Sequence, residues 1–170
     1  MASALLLTGS PGTGKTTLIR QAVAGSKINA GGFYTEEIRS GGTRQGFNLT
    51  TLNGHEVILS HVDNPSRYRV GKYGVDMSNL ENIGAAAIER AIEVSDLIVI
   101  DEIGKMELFS PRFRQAVLKA MDSDRKVLGT IMLKRHSFAD GIKRRPNVKV
   151  VEVTPANRER LLTEILDWLK

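Results

Sequence analysis

Residues 4–25, ALLLTGSPGTGKTTLIRQAVAG, decide how the rest of the chain is read. The unbroken apolar run ALLLT has the length of a short buried strand, and Leu18, Ile19, Ala22 and Val23 mark one face of a helix that Gly25 can stop. Between them, GSPGTGKT at 9–16 fits the pattern G-x-x-x-x-G-K-[ST]. Glycines let a backbone wrap closely, so N–H groups along Gly9, Ser10, Gly12, Thr13 and Gly14 can turn toward one anion, while Pro11, which has no N–H, only shapes the loop. The helix start adds its positive dipole end. Lys15 then reaches the β- and γ-phosphates of a nucleotide, the Thr16 hydroxyl is a Mg²⁺ ligand, and Thr17 adds a contact to the α-phosphate. A bare glycine turn with a solvent lysine needs neither the strand before it nor the helix after it.

A second apolar run, LIVIDE, ends in adjacent acids, Asp101 and Glu102. Like charges at the end of a buried strand call for a cation. If strand 97–101 lies beside the first strand, Asp101 arrives next to Thr16 and holds Mg²⁺ through water, while Glu102 points at the γ-phosphate and orients a water molecule. A glutamate in that place suits hydrolysis. The Asn-Lys-x-Asp motif that reads guanine is absent.

Around these two stretches the periodicity predicts an α/β fold with a mainly parallel, doubly wound sheet in a single domain over 1–170. FYTEEIRS, QGFNLTTL and HEVILSHV, punctuated by Gly41-Gly42 and Asn53-Gly54, read as a small antiparallel meander inserted in it. A helix is expected over 78–94 with a Ser78–Glu81 capping box, another from Ser110-Pro111 with Phe113, Val117 and Met121 inward, and a last one capped by Thr154-Pro155. KVLGTIML and VKVVEV complete the strands.

The 170 residues carry a net charge of +5 and no cysteine, which excludes disulfides and cysteine-ligated zinc. The charge is local: residues 126–149 sum to +6 and the remainder to −1. The four-residue apolar run at the start is shorter than a signal peptide requires, and no run has membrane-spanning length, so a cytoplasmic protein is expected.

GSPGTGKTT, GFYTEEIR, DEIGKMELFS and TPANRERL, taken together and in order, resemble the THEP-type nucleoside triphosphatases over residues 4 to 166. The resemblance implies a RecA-like P-loop fold and slow, Mg²⁺-dependent hydrolysis of ATP, GTP, CTP, UTP and TTP to the diphosphate and phosphate. It also implies that Glu102 is the catalytic glutamate, and that 9–16 and 97–104, with Ile103 and Gly104, line the nucleotide. The basic stretch KRHSFADGIKRRPN is where the chain departs from the family's strongest motifs.

That stretch supplies Arg135, Arg144 and Arg145 as candidates for an arginine donated to the γ-phosphate, and FADGIKRR is short enough to close as a lid. It also keeps two other functions in view. A small-molecule kinase would use it as a lid, and a nucleotide-switched nucleic-acid binder would use its charge. A kinase gains nothing from a water-activating glutamate, and the segment offers nucleic acid only one aromatic, Phe138. A monomer acting on free nucleoside triphosphates is the favoured reading. Glu36, Glu37 and Arg39 read as exposed positions of an alternating strand, Lys105 and Glu107 as a pair with each other, and Asn157 as support for a helix cap. His55, His61 and His136 lack metal spacing and read as surface residues.

Overall fold

The computed structural model describes residues 2–170. The first strand, β1 (Ala4–Thr8), is buried along its whole length, because its apolar side chains are covered on both faces of the sheet. It leads through the glycine loop into α1 (Lys15–Ser26). Next come β2 (Ala30–Ser40), β3 (Thr43–Thr51), β4 (Glu56–His61) and a short pair, β5 (Arg69–Val70) and β6 (Tyr73–Val75). A helical stretch follows in three parts, α2 (Met77–Asn79), a π-helical segment (Leu80–Ala85) and α3 (Ala86–Val94). The chain closes with β7 (Leu97–Ile103), α4 (Pro111–Asp122), β8 (Lys126–Ile131), α5 (Ser137–Lys143), β9 (Val148–Glu152) and α6 (Arg158–Leu169).

All nine strands form one sheet in the order β5-β6-β4-β3-β2-β7-β8-β1-β9. The run β2-β7-β8-β1-β9 is parallel, as an α/β fold with crossover helices requires. β2 pairs in parallel with β7 through residues 30–33, then runs on past the sheet's carboxyl edge in an antiparallel pairing with β3. The Gly41-Gly42 and Asn53-Gly54 turns fall between strands as the sequence signals, whereas the β5–β6 pair had no such signal. One expectation needs correction: strand 97–101 does not neighbour the first strand, because β8 is hydrogen-bonded to both and lies between them.

Helices cover both faces. Leu18, Ile19 and Ala22 of α1 and Leu161, Ile165 and Leu169 of α6 pack with Leu5, Leu7, Val99 and Leu128 on one side. Ile88 and Ala91 of α3, Phe113, Ala116 and Val117 of α4, and Ala139 and Ile142 of α5 pack on the other. Each large aliphatic or aromatic side chain taken fully out of water stabilises the fold by about 1.5–3 kcal/mol, so two such layers clamp the strand ends that carry the site. Among the described residues no helix is long and apolar enough to cross a membrane.

Several local readings change. Asp76, not Ser78, caps the 77–94 stretch by accepting the Asn79 N–H at 2.9 Å. Glu81 instead accepts the Ser110 hydroxyl at 2.6 Å, and Ser110 caps α4 by accepting the Phe113 N–H. The last helix starts at Arg158, because Thr154 and Asn157 close a turn of their own before it.

The basic segment is not a lid. Its middle forms α5, pinned to the core by Ala139 and Ile142, and it carries the chain from the carboxyl edge of the sheet to the amino edge. There Arg145 pairs with Asp122 at the end of α4, and Asn147 receives the N–H groups of Ser3 and Ala4 at the start of β1. Arg144 and Arg145 are therefore separated from the glycine loop by the five residues of β1, about 17 Å, and neither can assist there.

Candidate active site

The glycine loop sits at the carboxyl end of β1, where open α/β sheets bind ligands. Two of its glycines are favoured by a positive φ, and one of them, Gly9, also by lack of space against fixed backbone. Gly9 has φ 143°, and a Cβ there would lie 2.8 Å from the Val153 carbonyl oxygen. Gly14 has φ 84°, and a Cβ there would lie 2.7 Å from Nη1 of Arg158. α1 begins directly after Gly14 with no side-chain cap and no acid in its first turn, so its first N–H groups remain available to an anion. Lys15 folds over the loop mouth, donating from Nζ to the Gly9 and Ser10 carbonyls at 2.9 and 3.1 Å.

The two acids meet this loop across the sheet. Thr16 Oγ1 donates to Asp101 Oδ2 at 2.6 Å, and Thr130 Oγ1 donates to Asp101 Oδ1 at 2.7 Å. β8 therefore supplies a second hydroxyl to the carboxylate it separates from β1, and the Thr35 N–H of β2 supplies a third donor. The β7–β8 ladder is irregular between Ile100 and Ile103, so Asp101 and Glu102 leave the regular pairing; the bond joining them is cis.

A third carboxyl lies behind them. Glu107 is only 4% exposed, and the space above Gly104 is bounded by both Glu102 and Glu107, since a Cβ there would be 3.0 Å from an Oε1 of each. Burial raises the pKa of Asp101 against the pull of its three donors and of Lys15. Burial and the Asp101 charge raise that of Glu102, opposed by Lys15. Glu107 is pushed well above its ordinary 4.5, by burial first and then by the charge of Glu102. Two adjacent acids, Asp101 and Glu102, facing the one ammonium of Lys15 favour an added cation.

Hard oxygen donors from Thr16 and Asp101 suit Mg²⁺, and among the described residues no three His, Cys, Asp or Glu side chains gather into a self-sufficient metal site. An ion held here takes its other ligands from water and from substrate oxygens, which is how Mg²⁺ is usually bound.

The loop from Gly9 to Thr17 meets the acid pair through the hydrogen bond of Thr16 with Asp101, and Gly104 lies beside Glu102. Ile103 does not join them through its side chain, which is fully buried in the core. Arg135 alone of the three arginines is at the carboxyl edge, exposed and beyond the end of β8. Glu36 and Glu37 are both exposed, where alternation asks it of at least one, and they pair with Arg20 and with Arg39 and Arg44. Glu107 turns inward and does not pair with Lys105. Asn157 supports the turn before α6. Thr130 and Arg158 were missed. Thr130 had a signal, a hydroxyl within an otherwise apolar run, like Asp101 in its own strand. Arg158 had none, being one of several charges on a helix.

The model of the family described as NTPase matches residues 4–166. The chain belongs to the NTPase family. Nucleoside-triphosphatase THEP1 of Thermotoga sp. (strain RQ2) is 51% identical over 168 residues, covering 98% of this chain and 95% of that one. The human cancer-related nucleoside-triphosphatase is 41% identical over 182 residues, covering 98% and 96%. The crystal structure of THEP1 from Aquifex aeolicus superimposes with a TM-score of 0.91 at 38% identity, covering 98% of this chain and 99% of that one.

In this NTPase the buried Glu107 makes stability depend on pH. A carboxyl whose folded pKa lies above its unfolded value keeps a proton that the unfolded chain has released, so stability falls as pH rises from about 4.5 toward the folded value. Glu107→Gln keeps the shape of the side chain and removes that penalty. Calorimetry in EDTA is expected to show a Tm gain of about 3–6 °C at pH 8 that shrinks toward nothing near pH 4. A gain of equal size at both pH values would assign the effect to packing instead.

Proposed function

We propose that this NTPase is a RecA-like P-loop enzyme, its antiparallel strands an insertion, that hydrolyses ATP, GTP, CTP, UTP and TTP with Mg²⁺. It acts slowly, as a monomer in the cytoplasm. Family membership makes the chain a nucleoside triphosphatase; the substrate range, the metal and the residue roles are our reading. The observation that carries it is the 2.6 Å hydrogen bond between Thr16 and Asp101, which ties the phosphate loop to the acid pair and sets Glu102 beside it.

In this reading the loop N–H groups and Lys15 bind the β- and γ-phosphates. Thr16 and Asp101 hold Mg²⁺, which when bound neutralises charge on the phosphate oxygens. Glu102 orients a water molecule and takes its proton as the water oxygen bonds to the γ-phosphorus and the bridge to the β-phosphate breaks. Arg135 is the remaining candidate for an arginine in cis. Slow turnover agrees with a site in which no arginine is fixed beside Glu102 among the described residues. The kinase reading loses its lid to α5, and the nucleic-acid reading rests on a segment whose single aromatic, Phe138, is half-buried against the core.

No group reads a base edge in the site so described, so the four common ribonucleoside triphosphates should turn over within about tenfold, or 1.4 kcal/mol, of one another. Phosphorus NMR of the products, with and without nucleosides or RNA, checks this directly. Free phosphate regardless of acceptor supports the hydrolase. A phosphorylated acceptor, or a thousandfold preference for one base, overturns it.

A further inference from the structure

The order of strands gives the bound nucleotide a direction. Glu102 belongs to β7, which lies two strands from β1 on one side, about 10 Å, whereas β9 lies one strand away on the other, about 5 Å. The loop at the end of β1 holds the phosphates between them. If Glu102 faces the terminal phosphate, as the triphosphatase reading has it, the nucleoside leaves the loop on the β9 side.

What waits there is Arg158. Its guanidinium lies along Gly14, with Nη1 2.7 Å from where a Cβ would stand, so the glycine leaves room for this side chain against the loop. Arg158 is exposed, and no ion pair or side-chain hydrogen bond engages it among the described residues. By contrast Arg20, on the other flank of α1, is committed to Glu36 and to the face of Tyr34.

The turn leading to Arg158 has little left with which to read a base. Asn157 Oδ1 accepts the Thr154 N–H at 2.8 Å, and Asn157 Nδ2 donates to the Glu152 carbonyl at 2.8 Å, so both ends of its amide are occupied. The Thr154 hydroxyl already accepts the Asn157 N–H at 3.3 Å. Exposed Pro155 and Ala156 add only apolar surface. The bases differ in their edge donors and acceptors, but every base has a π face. A planar cation beside a turn whose side-chain amide is already engaged can take that face and ignore the edge.

We propose that Arg158 is the nucleoside subsite of this NTPase, holding any nucleobase by stacking and thereby leaving the choice of base unread. It lies against the loop at Gly14, and Glu102 comes from β7, two strands from β1 on the side away from β9. Only the direction of the nucleotide is borrowed from the triphosphatase reading, and binding alone tests the subsite.

Titration calorimetry with ADP, GDP, CDP, UDP and inorganic pyrophosphate, each with Mg²⁺, compares the unaltered protein with Arg158→Ala and Arg158→Lys. Alanine is expected to weaken all four diphosphates about tenfold, to a similar degree, and to leave pyrophosphate unchanged. Lysine keeps the charge but not the plane, and is expected to stay within about threefold of alanine. Equal weakening of pyrophosphate would place Arg158 on the phosphates; an effect on one base only would mean edge reading; full rescue by lysine would mean a point charge; four unchanged diphosphates would leave Arg158 a bystander. Each of these overturns the proposal. Failure of the triphosphatase reading registers separately, as no phosphate released from any triphosphate by the unaltered protein.

Discussion

Glu102→Gln is expected to bind nucleoside triphosphates as tightly as the unaltered protein and to hydrolyse them about 10²–10⁴-fold more slowly. Glutamine keeps the length and shape of the side chain, so the irregular end of β7 and the space above Gly104 are preserved. What it loses is the ability to accept a proton from the attacking water. The substitution also removes a charge from a pocket where Asp101 and Glu102 repel each other, which favours binding of a polyanion if anything. Single-turnover hydrolysis and equilibrium titration separate the two effects. A kcat within threefold of the original would mean that another group orients the water. Glu107 bounds the same space above Gly104, but its burial keeps it from an attacking water.

Lys15→Ala is expected to lower kcat/KM by about 10³–10⁵-fold, combining a loss of about 10–10²-fold in affinity with about 10²–10³-fold in the chemical step. The two losses have one origin. The ammonium is a fixed charge at the loop mouth, and it moves from the Gly9 and Ser10 carbonyls to phosphate oxygens when a nucleotide enters. Removing it leaves only backbone N–H groups, those of the loop and of the start of α1, to hold the anion. The same ammonium lowers the pKa values of Asp101 and Glu102, so its loss pushes both acids up and leaves less carboxylate to hold a metal or take a proton. The variant should therefore depend more steeply on pH, with activity recovering as pH rises. Nucleotide titrations at pH 6 and 8 check this, and an unchanged affinity at both would mean that the loop is not the phosphate site.

Local signals carried the phosphate loop because its chemistry is contiguous. A strand, a glycine turn and a helix start within thirteen residues leave little choice of geometry, and the 4–8 and 15–26 elements form where periodicity places them. The same holds for the Asp101–Glu102 pair, whose charges at the end of a buried run demand a partner, and for the hairpin turns at Gly41-Gly42 and Asn53-Gly54. Those features were legible because spacing along the chain and spacing in the fold nearly coincide.

The order of strands is another matter, since no residue of β8 announces that it lies between β1 and β7. That insertion gives Asp101 a second hydroxyl from Thr130, and it sends Glu102 and Arg158 to opposite sides of the loop. The basic segment makes the point from the other direction. Its charge count invites a role at the phosphates, yet two well-placed apolar residues, Ala139 and Ile142, draw it against the core and carry Arg144 and Arg145 to the far edge. Charge composition says nothing about which edge of a sheet a segment reaches, because burial of apolar side chains outweighs exposed charge in setting its path. The sequence alone was enough for the kind of chemistry and the residues of the cradle. Which side chains from distant strands complete the site, and which charges are kept from it, followed from how those strands stack.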